Sequence, residues 1–98
     1  MNVLVIEDDP KTAALMQKGL TAEGFNVEVS FDGEDGLEQV SIMQPDAIIL
    51  DVMLPKQDGW QVLTQLRQTG NDVPVLMLTA RDAVEHRIYS LVSVRCCE

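Results

Sequence analysis

Residues 1–10 read MNVLVIEDDP, a short aliphatic run that ends directly in three acidic residues and a proline. Two other runs, Ala47–Leu50 and Val73–Leu78, are similarly short and nearly as continuous as Met1–Ile6. A strand that is apolar at almost every position has both faces covered, as in a parallel sheet with helices on either side. The three runs therefore predict the central strands of a sheet enclosed by helices.

One further strand is predicted from a different pattern. Between Phe25 and Phe31, apolar residues alternate with Asn26, Glu28 and Ser30. An alternating strand buries one face and exposes the other to water, which favours a place at the edge of the sheet.

Helix signals separate these strands, and we expect four helices to begin at Asp9, Gly33, Asp58 and Asp82. The expected ends of the first three are Gly24, Met43 and Gly70. The fourth carries Glu85 three residues after its first residue, which is the spacing of a capping box. The order βαβαβαβα predicts an α/β fold with a doubly wound parallel sheet, formed by a single domain over residues 1–98.

The composition limits the classes of function. The 98 residues include 16 acidic and 7 basic side chains, with a net charge of −9. Such a surface repels phosphate backbones and anionic lipids, which excludes direct binding to nucleic acid or a membrane and favours a cation. No apolar run is long enough for a membrane span and no leader peptide is recognisable, so we expect a cytoplasmic protein. Cys96 and Cys97 are adjacent, which excludes a disulfide or cysteine–metal framework.

The candidate site lies where the strands end, since ligands of an open parallel sheet bind beyond the carboxyl ends of its strands. The first strand runs into Glu7 and Asp8, and the third runs into Asp51. The fourth runs into Thr79. Carboxylates at one edge repel each other unless a cation lies among them, and their oxygens suit Mg²⁺. Asp51 would then be the nucleophile that takes a phosphoryl group, and Thr79 would donate a hydrogen bond to it.

Other polar residues have simpler interpretations. Asp9 before Pro10 is typical of an N-cap, and Asp58 before Gly59 is typical of a turn and an N-cap. His86 has no partner at metal-ligand spacing, so we assign it a surface or packing role.

Three segments together resemble the receiver domain of two-component response regulators, in particular receivers that precede a winged-helix DNA-binding domain. They are VLVIEDD (residues 3–9), ILDVMLPKQDGW (residues 49–60) and VPVLMLTAR (residues 73–81). The resemblance covers about residues 1–87 and implies a flavodoxin-like sheet with the strand order 2-1-3-4, followed in the family by a fifth strand.

The resemblance also implies a role for each residue of the candidate site. Asp51 would be the phosphoacceptor, Asp8 would bind Mg²⁺ directly, and Glu7 would bind it through water. The backbone carbonyl of Met53 would be the third protein ligand, and Thr79 would be the switch hydroxyl. By the same resemblance, a sensor histidine kinase supplies the phosphoryl group, and the full-length family controls transcription.

The resemblance ends after Arg87, and residues 88–98 read IYSLVSVRCCE. The family carries a lysine on its fifth strand that pairs with the phosphoryl group, whereas every lysine here precedes Thr79. The divergent tail therefore indicates a C-terminally incomplete receiver with slow phosphorylation and poor signalling. A truncation, a frameshift and a natural end remain open.

Two arrangements of the tail are also open. If residues around Val92–Val94 paired in parallel beside the fourth strand, Arg95 would lie near the place of the family lysine. Otherwise the fifth strand is missing, and the fourth strand is an exposed apolar edge. Such an edge favours a homodimer, formed by strand exchange or by edge pairing.

Two alternatives to a phosphoacceptor module remain. An aspartate-nucleophile phosphohydrolase also places an aspartate at a strand end, but that class carries a second acid two residues later. Met53 occupies that position here, which argues against an enzyme. The other alternative is a phosphorylation-defective receiver that acts as a scaffold or dimerisation module.

Overall fold

Eight elements follow one another along the part of the chain that the computed structural model describes, which is residues 1–52, 54, 58–82 and 88–94. They are β1 (Asn2–Ile6), α1 (Pro10–Ala22), β2 (Asn26–Ser30), α2 (Gly33–Met43), β3 (Ala47–Asp51), α3 (Gly59–Gln68), β4 (Val75–Asp82) and β5 (Ile88–Val94). The strands form one sheet in the order β2-β1-β3-β4-β5. The first four strands are parallel, which confirms the predicted fold class and the order 2-1-3-4.

The sheet separates two apolar cores, because successive side chains of a strand lie on opposite faces. On one face, Leu4 and Ile6 of β1 belong to the cluster that includes residues of α2 and α3. On the other face, Val3 and Val5 pack with a cluster that includes Met16 of α1. These four aliphatic side chains of β1 are buried, so the continuous aliphatic run at the start of the chain forms a strand covered on both faces, as predicted.

The first three helices form where their capping signals predict. Asp9 is the N-cap of α1 with Pro10 as the first helical residue, and the chain leaves the helix through Gly24 at a φ of 99°. The bounds of α2 are the predicted ones, and Asp32 caps it by accepting a hydrogen bond from the Asp35 amide at 2.8 Å. None of the helices in the described ranges is long and apolar enough to cross a membrane.

The fourth helix is the main error of the sequence analysis. Asp82 is the last residue of β4 rather than a helix N-cap, and Ile88 begins a strand; residues 83–87, with Glu85 and His86, lie outside the described residues. β5 pairs with β4 in the antiparallel direction. Five intervening residues can close an antiparallel hairpin, but a parallel crossover needs a dozen or more. The strand β5 therefore covers the edge of β4, and the expected arrangement in which β4 is an exposed apolar edge is wrong.

The alternating strand lies at an edge of the sheet, as predicted, but its end departs from the pattern. β2 pairs with β1 alone. Val27 and Val29 are half-buried and Asn26 and Glu28 are exposed, whereas Ser30 is fully buried. The Ser30 hydroxyl forms no hydrogen bond with any described group, although its carbonyl accepts one from the Glu7 amide at 2.9 Å.

Replacing Ser30 with Ala is expected to raise the free energy of unfolding by about 1 kcal/mol, because a buried hydroxyl without a partner is destabilising. Urea denaturation of the two chains measures the difference. Ser41→Ala is the matched control, since the exposed Ser41 hydroxyl donates to the Glu38 carbonyl at 3.0 Å and its removal should change little. A Ser30→Ala chain less stable than the parent would show that this hydroxyl contributes a favourable interaction.

Candidate functional site

Three carboxylates meet at the carboxyl edge of the sheet. β1 and β3 are neighbours with Ile6 opposite Leu50, so the next residues along each strand, Glu7 and Asp51, lie side by side. One carboxylate oxygen from each of Glu7, Asp8 and Asp51 lies within 4.8 Å of the others. The strand register alone thus produces the cluster that the sequence analysis predicted at this edge.

The three carboxylates differ in their surroundings. Glu7 is 2% exposed and Asp51 is 6% exposed, whereas Asp8 is exposed to solvent. The Asp9 amide donates a hydrogen bond to Glu7 Oε2 at 3.1 Å. Glu7 Oε1 is buried and receives no hydrogen bond from any described N–H or O–H group. The cluster therefore contains a buried carboxylate oxygen that the described part of the chain does not satisfy.

This environment strongly affects the titration of Glu7. Burial raises the pKa of the Glu7 carboxyl from 4.5 to about 8, with the hydrogen bond from the Asp9 amide acting in the opposite direction. A hydrogen bond with the Asp51 carboxyl and the negative charges of Asp51 and Asp8 raise this pKa further. In the absence of a cation, Glu7 therefore keeps its proton at neutral pH.

The donor set fits a hard divalent cation. Carboxylate oxygens are the ligands of Mg²⁺, which is commonly held by one or two carboxylates together with water and phosphate oxygens. A cation among these oxygens would give Glu7 Oε1 the partner that it does not find among the described groups, and would offset the repulsion between the three acids. The exposed Asp8 leaves one side of the cluster open to solvent.

The acids that follow in the sequence have structural roles. Asp9 accepts hydrogen bonds from the Thr12 hydroxyl at 2.7 Å and the Lys11 amide at 3.3 Å, which confirms the N-cap interpretation. Asp58 caps α3 by accepting from the Gln61 amide at 2.8 Å, and the Gln61 side chain accepts from the Asp58 amide at 3.1 Å. Gln61 completes a capping box that the sequence analysis missed, although its position three residues after Asp58 carried the signal.

The backbone of β4 passes Asp51 at the same edge of the sheet and continues to Asp82. Asp51 lies opposite Leu78, and the Val52 amide donates to the Leu78 carbonyl at 3.0 Å. Thr79, expected directly after the fourth strand, lies instead within β4, one residue beyond the position opposite Asp51. Met53, the third expected protein ligand, lies outside the described residues.

Comparison with known proteins identifies the family. The profile of the response regulator receiver domain matches residues 3–93. This chain belongs to the response regulator receiver family. Among its relatives, the response regulator MprA of Mycobacterium avium (strain 104) is 43% identical over 91 residues, which are 93% of this chain and 40% of MprA. The receiver described here thus spans about two fifths of the length of such relatives.

Solved response regulators superimpose on most of this chain. The receiver domain of the Francisella response regulator 1452 superimposes with a TM-score of 0.79 at 34% identity, over 86% of this chain and 69% of that one. The response regulator TrrA of Thermotoga maritima, solved in complex with Mg²⁺ and BeF, superimposes with a TM-score of 0.78 at 28% identity, over 83% and 70% of the two chains.

Membership of this family relates the acidic cluster to metal binding and phosphorylation. Receiver domains are signalling domains that sensor histidine kinases phosphorylate, and they bind Mg²⁺ at an acidic cluster. In this receiver, the cluster of Glu7, Asp8 and Asp51 lies at the carboxyl edge of the sheet.

The antiparallel pairing of β5 excludes one of the two arrangements expected for the tail. Val94 lies opposite Val75, at the amino end of β4, whereas Ser90 lies opposite Thr79. The end of β5 is thus at the edge of the sheet opposite to the acidic cluster. The hypothesis of a parallel tail strand, which would bring Arg95 near the phosphoryl site, is wrong; Arg95 itself lies outside the described residues.

Proposed function

We propose that this receiver takes a phosphoryl group on Asp51 from a sensor histidine kinase, with Mg²⁺ bound by Glu7, Asp8, Asp51 and the backbone carbonyl of Met53. The observation that carries the proposal is the convergence of three carboxylates with oxygens within 4.8 Å of one another, one of which, Glu7, has a buried oxygen without a donor among the described residues. A strand-end aspartate beside such a cluster is suited to form an acyl phosphate.

The transfer requires a nucleophilic oxygen with a fixed position. A carboxylate oxygen of Asp51 attacks phosphorus and forms a new P–O bond, while the bond between phosphorus and the kinase imidazole nitrogen breaks. The electron pair of the broken bond stays on that nitrogen, and Asp51 becomes an acyl phosphate. Burial of Asp51 at the end of β3 restricts its orientation. Bound Mg²⁺ would neutralise the charge on the transferred oxygens.

The remaining expectations about this receiver rest on its family. We propose that the Thr79 hydroxyl donates to a phosphoryl oxygen, since Thr79 follows Leu78, which lies opposite Asp51. The single-domain boundary at residues 1–98, with a divergent tail at 88–98, and the cytoplasmic location stay predictions. Because the chain spans 40% of MprA, control of transcription is a proposal about a longer protein of this kind.

Intact-mass analysis after incubation with acetyl phosphate tests the proposed function. The parent chain should gain the mass of one phosphoryl group with Mg²⁺ and none with EDTA. Asp51→Asn should gain none, whereas Asp72→Asn, at an exposed position before β4, should behave as the parent. An adduct that persists in Asp51→Asn would contradict the proposal.

A second candidate function is a scaffold or dimerisation module that does not depend on phosphorylation. The observation that favours it is the edge position of β5, whose seven residues include no charged residue and no proline. Natural edge strands usually carry such residues, which prevent pairing with another chain. A second copy of this receiver could therefore pair with β5 by its backbone.

If β5 pairs between two copies, sedimentation velocity should show a concentration-dependent dimer. Val92→Lys, in the middle of β5, should shift the receiver to a monomer because a charge would enter the paired edge. Ile42→Lys is the matched control, since it adds the same charge at an exposed position of α2. A parent chain that sediments as a monomer at every concentration would contradict this second function.

A further inference from the structure

The backbone that carries Asp51 is held by hydrogen bonds from two sides. On one side, the Val52 amide donates to the Leu78 carbonyl of β4 at 3.0 Å. On the other side, the Val52 carbonyl accepts a hydrogen bond from the Gly59 amide of α3 at 2.6 Å. The position of the Asp51 carboxylate thus depends on where the first turn of α3 lies.

Gly59 is the residue at which α3 touches this backbone. A Cβ atom at Gly59 would lie 2.5 Å from the Asp51 carbonyl oxygen and 2.8 Å from the Val52 Cα. Both are backbone atoms, so no side-chain rotation could relieve the overlap. The obstacle is space alone, because the backbone at Gly59 is that of an ordinary first helical residue, which alanine adopts readily.

The start of α3 is itself firmly fixed. The reciprocal hydrogen bonds between Asp58 and Gln61 define its first residue, and Val62, Leu63 and Leu66 anchor the helix in the core. A side chain at Gly59 must therefore displace either a helix anchored in the core or the backbone of Asp51 and Val52.

We propose that Gly59 is a positioning residue of the acidic site: its lack of a side chain lets α3 approach the Asp51 backbone and sets the distance of the Asp51 carboxylate from Glu7 and Asp8. This inference rests on the proposed function, since it concerns the same site. Gly59 contacts neither the metal nor the phosphoryl group and acts only through Asp51.

The test compares Gly59→Ala with the parent in Mg²⁺ titrations by calorimetry and in phosphorylation by acetyl phosphate. We expect the Mg²⁺ affinity to fall about 10- to 100-fold, the range typical of residues that orient metal ligands. Leu66→Ala is the control for lost stability, because Leu66 is buried in the same helix but away from its first turn. That control should keep the parent affinity. Equal affinities of Gly59→Ala and the parent would overturn the inference.

A second readout separates this inference from the proposed function. In the metal-free chain, Gly59→Ala should move the amide resonances of Glu7, Asp51 and Val52, whereas Leu66→Ala should leave them in place. If the parent bound no Mg²⁺, the proposed function would fail while these shifts would still support the positioning role. Unchanged resonances would overturn the positioning role, whatever the parent binds.

A milder variant covers the case in which Gly59→Ala does not fold. Gln61→Ala removes one half of the capping box at an exposed position and should loosen the start of α3 without unfolding the chain. We expect a weaker loss of Mg²⁺ affinity than in Gly59→Ala. Gln68→Ala, exposed in the last turn of α3, is its control. An unchanged affinity in Gln61→Ala would then overturn the inference.

Discussion

Replacing Glu7 with Gln is expected to make the metal-free receiver more stable at pH 8 and to remove most of the dependence of its stability on pH between about 4.5 and 8. In the unfolded chain Glu7 loses its proton near pH 4.5, whereas in the folded chain its pKa is about 8. Between these values the folded state holds a proton that the unfolded state has lost. Raising the pH through this range therefore lowers the free energy of unfolding of the parent.

The expected gain for Glu7→Gln at pH 8 is on the order of a few kcal/mol, since one unit of pKa corresponds to about 1.4 kcal/mol. Glutamine is neutral at every pH and, like protonated Glu7, can donate a hydrogen bond to Asp51. Urea denaturation at pH 4.5, 6 and 8 in EDTA measures the effect. Glu38→Gln, exposed on α2, is the matched control and should follow the parent. A parent whose stability does not fall over this range would contradict the account of Glu7.

Binding of Mg²⁺ should become tighter as the pH rises and should release a proton. Glu7 must be ionised to share a cation with Asp8 and Asp51, and below about pH 8 the proton competes with the metal. We expect the apparent affinity to rise about tenfold for each pH unit up to this value if one proton is displaced. Calorimetric titrations in two buffers of different ionisation enthalpy count the protons released.

Removal of a carboxylate ligand should also weaken Mg²⁺ binding. Substitution of a residue that only orients a metal ligand typically weakens metal affinity roughly 10- to 100-fold. Because Asp51 is itself a proposed ligand, we expect Asp51→Asn to weaken Mg²⁺ binding by more than this. Asp72→Asn should bind as the parent, since its side chain is exposed and precedes β4 at the opposite edge of the sheet. Equal affinities of Asp51→Asn and the parent would show that the metal site is elsewhere.

Much of the fold could be predicted because its signals are local or periodic. The continuous aliphatic runs placed β1 and β3, and the predicted capping residues Asp9 and Asp58 lie where helices begin. The acidic cluster was predictable for a related reason. The carboxyl ends of parallel strands meet at one edge, so a pattern of acids after strands already implies that Glu7 and Asp51 are neighbours.

The errors arose where a local signal competed with pairing between distant residues. Asp82 and Glu85 have the spacing of a capping box, but the backbone of β4 continues through Asp82 and pairs with Ile88 across a short connection. The direction in which the tail pairs follows from the length of this connection, which is known only once the end of β4 is known. Burial of Ser30 and the close approach of Gly59 to Asp51 likewise depend on how the helices pack against the sheet. This packing cannot be predicted from the identity of a single residue.

The most direct test of the central claim is chemical trapping of the phosphorylated residue. Borohydride reduces the acyl phosphate of an aspartate to homoserine, which peptide mass spectrometry locates after incubation with Mg²⁺ and acetyl phosphate. Our account predicts homoserine in place of Asp51 alone, in a reaction that EDTA prevents. Homoserine in place of Asp8 or another acid, or a folded chain that yields none at all, would contradict it.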